Sequence, residues 1–168
     1  MAVTLTGFDH AVGWREFSRF AERQDRGSED AFIRAATHID YDYEGTTGNY
    51  AVTGVQARVW VDQGESWVVQ GSETDALLAH EQGHFDITAL GLREEAHLVD
   101  ALTGAGAAEI QRQRRRIRRR MQRRINQANE RYDARTEHSR NAAVQRRWLR
   151  SIAALKERDD GTIDELPD

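Results

Sequence analysis

The sequence predicts an α+β domain, and two observations carry that reading. The first third alternates apolar and polar residues with a period of two, and from about residue 73 apolar residues recur at steps of three and four. A chain of 168 residues fits one domain around one core. It divides into a strand-rich part, 1–70, a helical part, 71–158, and an acidic tail, 159–168, that lacks periodicity and reads as flexible.

Taken in order, Gly13 to Phe20 suggests a short helix. Ile39, Tyr41 and Tyr43 then interleave with Asp40, Asp42 and Glu44, while Val55, Ala57, Val59 and Val61 alternate with Gln56, Arg58, Trp60 and Asp62. That pattern predicts two antiparallel strands, with Gly45 to Asn49 as the loop between them. Ser72 offers an N-cap with Glu73 and Asp75 in the first turn, and a helix is expected over 73–102 through Leu77, Leu78, His84, Ile87, Leu92 and Leu98. Thr103 to Gly106 breaks it. A second helix follows with an apolar stripe at Ile110, Ile117, Met121, Ile125, Ala128 and Tyr132, and a third at Val144, Trp148, Ile152 and Leu155. The short linker makes the first two of these helices antiparallel neighbours.

The chain has no Cys, so disulfides and thiolate metal sites are excluded and any metal site is left to His and carboxylates. No run of about eighteen apolar residues predicts a membrane span. Met1 to Gly7 lacks the basic start and apolar run of a signal peptide, which reads as cytoplasmic, with an exported mature domain as the alternative. The net charge of −4 hides a segregation: residues 112–124 hold nine Arg and no acid.

Within the first long helix stands His80-Glu81-Gln82-Gly83-His84. Residues four apart share a helix face, so the two imidazoles can chelate one zinc ion at roughly 2.0–2.1 Å. Glu81 is turned about 100° from His80, toward a metal-activated water rather than the metal, where a general base belongs. With 6 His in the chain, chance would supply roughly 0.02 such motifs, so coincidence explains it poorly. Leu77, Leu78, Phe85 and Ile87 seat the helix in a core, and Gly83 is expected to leave space beside the metal.

Trp14-Arg-Glu-Phe17, Ala35-Ala36-Thr37, Ser66-Trp67 and Leu78-Ala-His-Glu-Gln-Gly-His-Phe-Asp-Ile87 together resemble a bacterial family of predicted zinc-dependent proteases catalogued as a domain of unknown function. Tyr132-Asp133-Ala-Arg-Thr136-Glu-His138-Ser139, followed by Gln145 and Trp148, is similar to that family's second motif. The resemblance covers roughly residues 10–152 and implies a zincin-like fold, with a small antiparallel sheet on the motif helix and a C-terminal helical pair. It also implies hydrolysis of protein or peptide substrates.

A catalytic zinc ion needs a third protein ligand. Glu94 and His97 lie too far along the same helix, and Asp86 turns away from it. His138, in a polar segment between helices and inside the resembling motif, is the first choice, with Asp133 as the alternative ligand or as an orienting carboxylate. Tyr132 is the candidate for polarising a substrate carbonyl. The expected activity is thus a zinc metallopeptidase in which His80, His84 and His138 bind Zn2+ and Glu81 activates water. The alternative is a non-enzymatic module, with a structural or absent metal, that docks its Arg-rich helix 112–124 on an acidic partner or nucleic acid.

Overall fold

A computed structural model describes residues 3–21 and 29–168, and its architecture is α+β. β1 (Thr4–Thr6), β4 (Ala35–Thr46), β5 (Asn49–Val61) and β7 (Thr103–Gly104) form one sheet in the order β1-β5-β4, with β7 joining β5 at Tyr50 and Ala51. β2 (Ser18–Phe20), β3 (Ala31–Phe32) and β6 (Trp67–Val69) form a second, in the order β2-β6-β3. Both are mixed rather than antiparallel, because β1 runs parallel to β5 and β2 parallel to β6. The expected helix over residues 13–20 shrinks to a single 3-10 turn at Trp14–Glu16, and the rest pairs with β6.

The β4–β5 hairpin is longer than its alternation suggested, since its turn is only Thr47-Gly48, with Gly48 in the left-handed region. One irregularity decides how β5 is buried. The register shifts between Asp40 and Asp42, and opposite this point Gly54 takes φ +61°, accommodating an extra residue in β5. The inward parity therefore switches from Val52 to Val55, Ala57, Val59 and Val61, and both halves of the strand face the core.

α1 (Asp75–Asp100) is the central element, capped by Thr74 Oγ1 rather than Ser72. Leu77, Phe85, Ala89, Leu92, Ala96 and Val99 pack with the β5 valines. Ile87 and Leu90, on its other side, join Met121, Ile125, Trp148 and Ile152 from α2 (Ala107–Thr136) and α3 (Ala142–Lys156). Sheet, α1 and the helical pair form three layers.

Two glycines set the α1–α2 contact. A Cβ on Gly83 would lie 2.4 Å from the Tyr132 hydroxyl, and one on Gly91 would lie 2.4 Å from Ile125 Cγ1. The expected space beside Gly83 is therefore filled by Tyr132. Across this contact Glu95, whose side chain is 0% exposed, receives Arg114 Nη1 at 2.8 Å and Arg118 Nη1 at 3.0 Å.

Residues 159–168, expected as a flexible tail, are packed. Ile163 and Leu166 are buried in the helical core, and the buried Arg93 donates to the carbonyls of Leu155, Lys156 and Gly161. Two apolar side chains and one guanidinium outweigh the local acidity. The Gly91→Ala variant should lose about 1–3 kcal/mol of stability, read as a shifted urea midpoint at constant slope. Stability equal to wild type would mean that the helices part here without cost.

Candidate metal centre

The site is assembled by register. The pairs Glu95–Arg118, His84–Asn129 and His80–Asp133 are all centred between residues 106 and 107, so α1 and α2 run past each other without slippage. At the level of the two histidines α2 presents Asn129, Asp133 and Thr136, spaced four and three apart on one face.

These residues fix both imidazoles. Asn129 Nδ2 donates to the Ile125 carbonyl at 3.0 Å, which turns its Oδ1 toward His84 Nδ1, 2.7 Å away. Thr136 Oγ1 donates to the Tyr132 carbonyl at 2.7 Å and so accepts from His80 Nδ1, at 3.4 Å. Each Nδ1 is thereby given an acceptor, the arrangement that leaves Nε2 to act as the ligand atom when a metal displaces its proton.

Both Nε2 atoms converge on Asp133 Oδ1, at 3.0 Å from His80 and 2.8 Å from His84, and stand 3.2 Å from one another. Three donors held about 2.0 Å from a tetrahedral zinc ion would be about 3.3 Å apart. Three electron-rich atoms so close repel unless a proton or metal ion lies among them. Burial opposes a charged His84, yet the hydrogen bond and charge of Asp133 outweigh it and push the imidazole up to about 9. Burial likewise opposes the Asp133 carboxylate, but hydrogen bonds from His80 and His84 hold it well below the ordinary range. His80, Asp133 and His84 are thus close enough to hold a metal ion.

Glu81 is buried beside them, and burial pushes its carboxyl up to about 7 against the pull of the His84 charge. The Ile33 N–H donates to this carboxylate, while Oε2 has no partner among the described residues. His80, Glu81, His84, Asp133 and His138 line a cleft of about 420 Å³ between the segment from Ala31 to Thr37 and the α2 face carrying Arg118, Gln122 and Asn126.

Two sequence expectations shift here. The third donor that meets the histidine pair is Asp133, the alternative, because α2 continues through Thr136 and keeps Asp133 on its inner face. His138 stands next to it, with Nδ1 3.5 Å from Asp133 Oδ1 and 3.7 Å from Glu29 Oε1. It is delivered there by a left-handed run, with φ of 52°, 50° and 75° at Glu137, His138 and Ser139. Side chains rarely adopt that conformation, and such strain gathers at functional sites. Tyr132 does not reach the cleft: its ring is fully buried and stacked on His80 at 4.7 Å, beneath the motif helix. It supports the imidazole and has no access to a substrate carbonyl.

Asn129, Thr136 and Glu29 escaped the sequence reading. The first two carry a readable signal, since Asn129, Asp133 and Thr136 fall at helical spacing on the strand-distant helix that must pass the motif. Asp86 is committed to Lys156 at 2.8 Å, and His10 and His38 pair with Glu16 and Asp40 at the surface.

No family model, curated protein or solved structure matches the chain. Zinc titration against a competing chelator should show more than a 100-fold loss of affinity for Asp133→Asn and a smaller loss for His138→Ala, as expected of a neighbour of the ligand set. The reverse order would return the third-ligand position to His138.

Proposed function

We propose that the protein is a zinc-dependent metallopeptidase, and the observation that carries this reading is Glu81. A carboxylate with one unpartnered oxygen is buried next to His80, His84 and Asp133, and both it and the ligand set open on the same cleft. Burial of a carboxylate without a full set of partners is costly, and a metal that served only to staple the fold would not require it.

His80, His84 and Asp133 would hold the ion. Zinc bound there would polarise a carbonyl and lower the pKa of water toward about 7. Glu81, which lines the cleft, takes a proton from the attacking water and delivers it to the departing amine nitrogen. Asn129 and Thr136 keep the imidazoles in the tautomer that binds metal. His138, which also lines the cleft, would donate a hydrogen bond to a developing oxyanion.

An extended peptide suits the cleft. β4 pairs with β5 on one side only among the described residues, and the Arg34 carbonyl accepts from Asp62 N–H. The backbone groups of Ala35 and Thr37 therefore point the other way, along a wall of the cleft, where a substrate strand can add. This edge strand beside a metal-binding helix supports a zincin-like reading of the fold.

Glu81→Gln should retain zinc and fold while losing about 10³-fold or more of its cleavage of an unfolded protein substrate. Measured with a quenched fluorescent casein and matched zinc content, near-wild-type turnover by the variant would sink the mechanism.

A further inference from the structure

The arginine run of α2 is divided by the structure into two groups. Arg114 and Arg118 are committed to the buried Glu95, and Arg124 bridges Glu94 and Asp164. The other six, Arg112, Arg115, Arg116, Arg119, Arg120 and Arg123, are exposed and have no hydrogen bond or ion pair among the described residues. At 100° per residue these six fall within an arc of roughly 140°, and between 112 and 123 no other residue type enters that arc. The stripe is about 16 Å long and lies opposite the face made by Ile110, Met121, Ile125 and Ala128.

Such a face works against the helix that bears it. Arginines three or four apart repel, and this stripe contains Arg112–Arg116, Arg115–Arg119, Arg116–Arg120 and Arg119–Arg123 among other like-charged neighbours. Between residues 110 and 129 α2 has no acidic side chain to relieve them. A helix needing only solubility would interleave both signs.

The chemistry of the stripe selects among partners. A protein docking site has apolar residues at its centre, and a helix lying on a membrane has an apolar half; here Ile117 and Met121 turn toward the core instead. A purely cationic row suits a polymer of closely spaced anions that is bound through charge-assisted hydrogen bonds. We propose that the solvent face of α2 is a sequence-independent binding surface for the phosphate backbone of duplex nucleic acid. It is separate from the cleft, and the acidic remainder of the chain confines contact to this one face.

The test is anisotropy of a labelled duplex of about 20 base pairs, titrated with the full chain between about 50 and about 200 mM salt. Six phosphate contacts give a slope of log K against log salt near about −5. The triple variant Arg116→Gln, Arg119→Gln, Arg123→Gln should bring the slope to about −3 and weaken binding steeply, with an unchanged or higher melting temperature because repulsion is relieved. Arg58→Gln, an exposed change on β5, should leave both unaffected. Absence of duplex binding at about 50 mM salt, or wild-type binding by the triple variant, overturns the proposal. So does equal affinity for polyglutamate, or binding to phosphatidylglycerol vesicles without binding to duplex, since either would assign the face to a different partner.

Discussion

Close packing of α1 on α2 is the constraint on which the rest of the structure depends. It is permitted by the missing side chains of Gly83 and Gly91, which admit Tyr132 and Ile125 to the α1 backbone. The two helices are thereby locked in one register, and that register does two jobs. It brings Asn129, Asp133 and Thr136 to the histidine pair, and it places Glu95 between two arginines more than ten residues farther along α1. A slip of one residue would turn Asp133 by about 100° and dismantle both.

The elements legible in the sequence are those whose pattern is local. Alternation over residues 39–44 and 55–62 located the long hairpin, and steps of three and four located all three helices to within a few residues. What escaped was decided by distant partners. Ser18–Phe20 is a strand because β6 accepts it, and β1 lies parallel to β5 although no spacing in residues 4–6 announces it. The last ten residues looked unstructured because their composition is acidic, yet Ile163 and Leu166 find a core that earlier helices supply.

The site was legible in the same proportion. His80, Glu81 and His84 follow from a five-residue motif whose geometry is local to one helix. The remaining donor depends on where α2 ends and how it registers against α1, neither of which the motif contains. The pairing of the two helices is centred at 106–107, which brings Asn129 opposite His84. Continuation of α2 through Thr136 then favours Asp133 over His138 and buries Tyr132 under the imidazoles.

The span between the two halves of the ligand set also bears on how the protein comes into being. During synthesis the motif helix emerges first, and Asp133 follows 53 residues after His80. The buried Arg93 waits longer, because its last carbonyl partner, Gly161, is 68 residues downstream. A nascent chain halted before α2 is complete therefore has two histidines without their carboxylate partner and a guanidinium without its carbonyl acceptors. The His80–His84–Asp133 cluster and the acceptors of Arg93 are thus completed only after α1 has been made, so partly made copies have neither.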